Sequence, residues 1–159
     1  MSRRPAFSGA GAGTVSTGCP ACHASGVHFD GRPRTVQVLI VDDQLSFRRA
    51  ARGVVELTDG FEVAGEVTSG EASIHAARAL RPDLVLMDVH LPGVDGMEAS
   101  RRIKAGAADD GPVIFLLSTY EAADFAERTL ECGAAAYLAK AEFGPERLAA
   151  AWSALTASS

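Results

Sequence analysis

The sequence predicts an α/β fold in which five parallel strands alternate with five helices. From Val36 onwards, short apolar runs of strand length alternate with segments whose apolar residues recur at helical spacing. Four of the five runs are almost wholly apolar, as expected of parallel strands covered by helices on both faces. Alternation of this kind builds a parallel sheet with right-handed crossovers.

The predicted strands are short runs separated by the predicted helices. In chain order they are Val36–Val41, Phe61–Val67, Asp83–Val89, Pro112–Ser118 and Ala134–Lys140. The second run differs from the others, because Phe61–Gly65 alternates in a manner typical of an edge strand.

The segments between and after the strands are predicted to be one-faced helices. The apolar residues of the first helix are Phe47, Ala50, Ala51, Val54 and Leu57, those of the fourth are Ala122, Phe125, Ala126, Thr129 and Leu130, and those of the last are Leu148, Ala151, Trp152 and Leu155. Pro145 begins the last helix in the favoured first-turn position. Shorter helices are predicted over Glu71–Leu80 and Gly96–Lys104.

Composition bounds the class of protein. A chain of 159 residues suits one domain with a remainder, and 47% apolar with 22% charged residues is typical of a soluble globular protein. No apolar run approaches the roughly 18 to 20 residues that span a bilayer, so no membrane partner is expected. The net charge of −5 disfavours DNA binding by this chain alone. Three cysteines imply no disulfide framework and favour a reducing cytoplasm.

Residues 1–34 differ from the rest of the chain in composition and in the spacing of their apolar residues. They are rich in Gly, Ser, Thr, Ala and Pro, and their apolar residues are isolated. Such a segment cannot bury enough apolar surface to offset its ordering entropy. We therefore predict a flexible N-terminal extension over residues 1–34 and one folded domain over residues 35–159.

The extension contains a short cysteine motif. Cys19-Pro-Ala-Cys22-His23 matches the pattern of c-type haem attachment, and His28 adds a fourth possible zinc ligand. Haem attachment requires export, and no apolar stretch of the length of a signal sequence follows the N-terminus. A zinc site is strained because Cys22 and His23 are adjacent. We interpret these thiols as incidental.

Polar side chains cluster at the predicted carboxyl ends of the strands, which is where open parallel sheets bind ligands. The first strand is followed by Asp42 and Asp43, and the third, fourth and fifth end at Asp88, Ser118 and Lys140. Any one of these is more simply a loop cap, but capping does not explain the whole set. Neighbouring carboxylates repel unless a cation or a function compensates. Because oxygen-rich clusters suit Mg²⁺, the pattern predicts a functional site there.

At these residues the sequence resembles the receiver domains of bacterial two-component response regulators. The resemblance runs from about Val36 to Leu155. The matching motifs are Val41-Asp42-Asp43, Met87-Asp88, Leu91-Pro92-Gly93-Val94-Asp95-Gly96, Ser118, Gly133-Ala134, and Tyr137 three residues before Lys140. The resemblance implies a flavodoxin-like (βα)5 fold with strand order 2-1-3-4-5.

The resemblance also implies the chemistry of the site. Asp88 would accept a phosphoryl group from a phosphohistidine on a sensor histidine kinase, and Lys140 would pair with the phosphoryl oxygens. Asp43 would bind Mg²⁺ directly and Asp42 through water, while Asp88 and the backbone carbonyl of His90 would complete the metal site. The domain would assist its own phosphorylation and dephosphorylation without being an enzyme in the ordinary sense.

A switch is implied by two further residues. Ser118 would donate a hydrogen bond to the phosphoryl group, and Tyr137 would turn inward as Ser118 moves. The surface formed by the last two helices and the last strand would then change its affinity for a downstream protein or for a second copy.

Three positions distinguish this chain within the resemblance. His90 and Tyr120 occupy variable places that tune the lifetime of the phosphoryl group, and His90 would either bind the attacking water or block it. Ala141 follows Lys140, where such domains usually have proline, so the loop before the last helix is expected to sit differently.

Several functions remain open for a domain of this kind. The leading prediction is a single-domain cytoplasmic regulator, because one helix after Lys140 leaves no room for a helix-turn-helix module. The alternative is the receiver portion of a NarL/LuxR-type transcription factor. A haloacid-dehalogenase-type phosphatase would carry a second Asp where His90 stands. A phosphorylation-independent scaffold would usually lack the acidic pair or the lysine.

Overall fold

Five strands and five helices alternate along the part of the chain that the computed structural model describes, residues 33–120 and 126–158. In chain order they are β1 Val36–Val41, α1 Leu45–Leu57, β2 Phe61–Val67, α2 Gly70–Leu80, β3 Leu84–Asp88, α3 Gly96–Gly106, β4 Val113–Ser118, α4 Ala126–Glu131, β5 Ala136–Ala139 and α5 Pro145–Ala157. The predicted alternation is confirmed. The predictions for Cys19, Cys22, His23 and His28, and for Ala122 and Phe125, lie outside the described residues.

All five strands are parallel and form one sheet in the order β2-β1-β3-β4-β5, as predicted. The chain moves to one side of β1 for β2 and to the other side for β3, so the strand order reverses between β1 and β3. Strand β2 lies at an edge, as its alternation indicated. A bulge at Ala64 interrupts that alternation, because Val63 pairs with Val38 while Gly65 pairs with Leu39.

Two apolar layers sandwich the sheet, which explains the uninterrupted apolar runs. Val38 and Ile40 contact the layer that includes α1 and α5, whereas Leu39 and Val41 contact the layer that includes α2 and α3. Successive residues of a strand point to opposite faces, so a strand covered on both sides must be apolar at every position. All four of these side chains are essentially inaccessible to water.

Two leucines assigned to buried helix faces are exposed instead. Leu57 is 76% exposed and Leu130 is 77% exposed. The buried face of α1 includes Ala51 and Val55, and Leu57 lies six residues after Ala51, about 120° around the helix. In α4 the buried residue is Thr129, so Leu130, about 100° further round, faces outward. The predicted membership of these two faces was therefore wrong at these leucines, and in α1 also at Ala50, which is exposed.

Among the described helices, none is both long enough and apolar enough to cross a lipid bilayer.

Candidate functional site

The ends of β1 and β3 bring three carboxylates together at the point where the strand order reverses. One oxygen from each of Asp42, Asp43 and Asp88 lies within 4.8 Å of the others. Asp42 and Asp88 are buried, whereas Asp43 is exposed. The predicted convergence of residues from different strands is therefore present at the carboxyl edge of the sheet, where open parallel sheets bind ligands.

Three of the strand-end side chains also close local turns. In three places a side-chain oxygen accepts a hydrogen bond from the backbone N–H two residues later. The pairs are Asp42 Oδ1 with Gln44 N at 2.8 Å, Asp88 Oδ1 with His90 N at 3.2 Å, and Ser118 Oγ with Tyr120 N at 3.2 Å. Local turns therefore account for one oxygen of Asp42, one of Asp88 and the Ser118 hydroxyl. The prediction that capping does not explain the set is corrected for these three residues, whereas Lys140 lies outside such turns. The second carboxylate oxygens are left for other chemistry.

Lys140 occupies the space beside those second oxygens. Its Nζ lies 2.6 Å from Asp42 Oδ2 and 3.3 Å from Asp88 Oδ2, and its side chain is only 10% exposed. The predicted repulsion among the carboxylates is thus partly offset by a buried cation. Because these groups are desolvated, removing the lysine would leave two buried carboxylates without a compensating charge and should be strongly destabilising.

The charge of Asp88 is disfavoured by its surroundings. Burial raises the pKa of the Asp88 carboxyl above its ordinary value, and the neighbouring charge of Asp42 raises it further. The Lys140 ammonium and the His90 N–H act in the opposite sense but do not outweigh burial. The charged form of such a carboxylate is stabilised when a cation binds beside it. Its charge is removed when it takes up a proton.

The loop after β3 is held against Asp88 by a glycine. A Cβ added to Gly96 would lie 2.0 Å from the Asp88 carbonyl oxygen, a distance no side chain tolerates. Gly96 N donates to Val89 O at 3.0 Å, and Asp95 Oδ1 caps the helix by accepting from Glu98 N at 2.8 Å. The last two residues of the Leu91–Gly96 motif thus fix where α3 begins relative to Asp88.

Two exposed rings stand beside the site. His90 and Tyr120 contact each other edge to face, with ring centroids 5.2 Å apart. Tyr137 Oη donates to the Tyr120 carbonyl at 2.7 Å, and Ser118 is fully buried at the end of β4. The residues predicted to tune and to switch the site are therefore linked to one another in this structure.

An aromatic contact to the lysine was not among the predicted features of the site. Lys140 Nζ lies 4.4 Å from the ring centroid of Phe47, which also packs against Phe143 at 6.2 Å. Phe47 was assigned only to the apolar face of α1. The available signal was its position in the first turn after the acidic pair, within reach of the same edge of the sheet.

The chain after Lys140 turns immediately toward α5. Lys140–Glu142 forms one 3₁₀ turn, closed by the Phe143 N–H donating to the Lys140 carbonyl at 3.3 Å. Among the described residues no peptide bond is cis. Ala141 is exposed and accommodates this turn without a proline ring.

A doubly wound sheet with an acidic triad and a buried lysine at its switch point defines a receiver of the two-component signalling class. The family model described as "Response regulator receiver domain" matches residues 38–153, and the chain belongs to this family. Receiver domains generally bind Mg²⁺ through acidic residues.

Relatives and solved structures agree with this assignment. The chain is 39% identical over 105 residues to the response regulator GacA of Pseudomonas viridiflava, covering 66% of this chain and 48% of that protein. It is 36% identical over 105 residues to the response regulator UvrY of Escherichia coli O6:H1, covering 66% of this chain and 47% of UvrY. The chain therefore spans about half the length of these curated relatives.

Two solved structures share the fold. A LuxR-family two-component response regulator from Aurantimonas sp. SI85-9A1 superimposes with a TM-score of 0.69 at 31% identity, covering 78% of this chain and 86% of that one. The response regulator domain of Thermotoga maritima CheB gives a TM-score of 0.66 at 26% identity, covering 76% of this chain and 96% of that one.

Proposed function

We propose that Asp88 accepts a phosphoryl group from a sensor histidine kinase and that this chain is thereby a phosphorylation-dependent signalling switch. The observation that carries the proposal is the position of Asp88 Oδ2, 3.3 Å from the Lys140 ammonium, within a triad of carboxylates. Asp43 is too exposed and Asp42 too closely paired with Lys140 to be the better acceptor.

The chemistry follows from the two oxygens of Asp88. Oδ1 is held by the His90 N–H, so Oδ2 is oriented as the nucleophile. Oδ2 forms a bond to phosphorus as the bond from phosphorus to the kinase histidine nitrogen breaks, and the departing imidazole takes a proton from solvent. A raised pKa makes this carboxylate more basic than an ordinary aspartate. Lys140 stabilises the negative charge that accumulates on the phosphoryl oxygens.

The residues present fit a divalent cation. Three carboxylates and one ammonium leave the cluster with net negative charge, and oxygen ligands suit Mg²⁺. Asp43 would bind the ion directly, Asp42 through water, and Asp88 and the His90 backbone carbonyl would complete the site. When bound, Mg²⁺ supplies positive charge to the phosphoryl oxygens. The domain acts as a cytoplasmic phosphoacceptor rather than as an enzyme with an external product.

The first experiment locates the phosphoryl group. The wild type is incubated with acetyl phosphate and Mg²⁺, and we expect intact mass spectrometry to show one added phosphoryl group. Reduction of the acyl phosphate with borohydride, followed by peptide mapping, should place it on Asp88. Recovery of the label on any other residue would overturn the assignment, whereas omission of Mg²⁺ should prevent labelling.

The output of the switch is proposed to be the face formed by α4, β5 and α5. Ser118 and Tyr137 are joined through Tyr120, because the Tyr120 N–H donates to Ser118 Oγ and its carbonyl accepts from Tyr137. If Ser118 turns toward a phosphoryl group, its bond to Tyr120 is lost and Tyr137 is released. The partner is a downstream protein or a second copy of this chain.

We expect beryllofluoride with Mg²⁺ to shift Ser118 and Tyr137 together and to change self-association. Sedimentation velocity reports the association, and amide exchange reports movement in α4, β5 and α5. Tyr137→Phe removes only the hydroxyl that donates to the Tyr120 carbonyl. In this variant the changes in sedimentation and in amide exchange should no longer occur together. Identical sedimentation and exchange with and without beryllofluoride would place the switch elsewhere.

A transcription factor of the NarL/LuxR type is the second candidate for the whole protein. One observation favours it, since the matched relatives are about twice the length of the matched region. DNA binding would then belong to another domain, because this domain offers only an acidic receiver.

A further inference from the structure

Phe47 places an aromatic face against the Lys140 ammonium. The distance from Nζ to the ring centroid is 4.4 Å, well inside the range of about 6 Å at which a cation is attracted to a ring face. Both side chains are partly withdrawn from water, since Lys140 is 10% exposed and Phe47 is half-buried. Desolvation strengthens this kind of attraction.

The Phe47 ring, on α1, also contacts the loop that follows Lys140. Phe143 packs against Phe47 with ring centroids 6.2 Å apart, and the Phe143 N–H donates to the Lys140 carbonyl. The Lys140 ammonium thus contacts the Phe47 ring, while its carbonyl accepts from the backbone of Phe143, whose ring packs on Phe47. Ala141, the residue after the lysine, has no ring that restricts the backbone there.

Lys140 needs such an anchor because it has two carboxylate partners. Its Nζ is closer to Asp42 than to Asp88, at 2.6 Å against 3.3 Å. A lysine is a compact charge on a flexible stem, so it is free to follow Asp42 and turn away from Asp88. Phe47 contacts the ammonium from α1 and limits that movement.

We propose that Phe47 is a positioning residue for phosphoryl transfer, holding the Lys140 ammonium against Asp88 by a cation–π contact. This inference rests on the proposed role of Asp88 as phosphoacceptor. It differs from ordinary core packing in one respect, because it depends on the electron density of the ring and not only on its volume.

A fluorination series separates the two roles. Phe47 is replaced by phenylalanines carrying increasing numbers of ring fluorines, which keep the shape but progressively weaken the negative ring face. The rate of phosphorylation by acetyl phosphate should fall stepwise, to about threefold to tenfold below the wild type at full fluorination. The same series at Phe61, whose ring contacts Trp152 rather than the Lys140 ammonium, should leave the rate unchanged.

A spectroscopic readout tests the contact without any phosphorylation. The chain contains two lysines, Lys104 and Lys140. Isotopic labelling of lysine therefore gives two side-chain CεH₂ signals, and the ring current of Phe47 should shift that of Lys140 upfield. Phe47→Leu should remove the shift, Phe47→Tyr should retain it, and Phe61→Leu, at a ring that contacts Trp152 instead, should change neither signal.

The outcomes are distinguishable. If the wild type is phosphorylated on Asp88 but the fluorinated series at Phe47 reacts at one rate, the positioning role is overturned. An unshifted Lys140 signal in the wild type overturns the contact itself. A wild type that takes no phosphoryl group on Asp88 overturns the proposed function, whatever the lysine spectrum shows.

Discussion

Asp88→Asn is expected to abolish phosphorylation and, without divalent cations, to raise the stability of the folded domain at neutral pH. The amide has no anionic oxygen to attack phosphorus, so labelling by acetyl phosphate should disappear. Its shape matches the carboxyl group, so Oδ1 can still accept from the His90 N–H. Lys140 keeps its closer partner Asp42 and remains paired.

The expected stabilisation depends on pH with a definite sign. Because burial raises the pKa of Asp88 above its ordinary value of 3.8, the folded state holds a proton that the unfolded state has already lost. The stability of the wild type therefore falls as pH rises from that ordinary value through the raised pKa. Asp88→Asn has no such dependence. The advantage of the variant should be absent at low pH, grow across this window and then remain constant.

Thermal unfolding of both proteins in EDTA, over a series of pH values, measures this difference. Asp109→Asn provides a matched control, since Asp109 is an exposed aspartate in the turn before β4, at the opposite edge of the sheet. Between pH 3.8 and the raised pKa of Asp88, the difference in stability between Asp109→Asn and the wild type should follow no Asp88 titration. A stability difference between Asp88→Asn and the wild type that is independent of pH would mean that Asp88 titrates normally.

The sheet was predictable because burial on both faces leaves a direct mark on sequence. Every position of a strand such as Leu84–Asp88 is buried, so a short apolar run with a polar terminus identifies both the strand and the end that carries the carboxylate. Helices mark the sequence less clearly, since only one side is buried. Leu57 fits the helical spacing of apolar residues but faces outward. Spacing alone did not reveal this, because much of the spacing stays the same when the buried face is shifted by one position.

The site was predictable as a set of residues but not as a set of contacts. Asp42 and Lys140 are 98 positions apart, and topology alone places them at one edge. Which carboxylate the lysine approaches more closely depends on side-chain rotamers, and these are not recorded in residue spacing. The aromatic contact of Phe47 was missed for the same reason, because an aromatic residue on a buried helix face already has a sufficient explanation as core.

Asp43→Ala is expected to remove the response of the domain to Mg²⁺ while leaving the metal-free protein at least as stable as the wild type. Asp43 is exposed and adjoins Asp42 and Asp88, so its removal relieves repulsion without creating a cavity. Surface substitutions away from caps and cores usually change stability by less than about 0.5 kcal/mol. The melting temperature in EDTA should therefore be equal to or above that of the wild type.

Mg²⁺ should act very differently on the two proteins. At about ten times its dissociation constant, a ligand that binds only the folded state stabilises it by about 1.4 kcal/mol. For a domain of this size that energy raises the melting temperature by roughly 3 to 6 °C. The variant lacks the proposed direct ligand and should gain almost nothing, so the order of the two melting temperatures should reverse when Mg²⁺ is added.

Calorimetry at matched ionic strength separates site binding from screening, with NaCl and Ca²⁺ as the ionic controls. Asp109→Ala removes the same charge at the far edge of the sheet and should respond to Mg²⁺ as the wild type does. If Asp43→Ala also responds as the wild type does, Asp43 is not a metal ligand. The carboxylates at this edge would then retain only the roles that their contacts already define, which are to close the turns at Gln44 and His90 and to pair with Lys140.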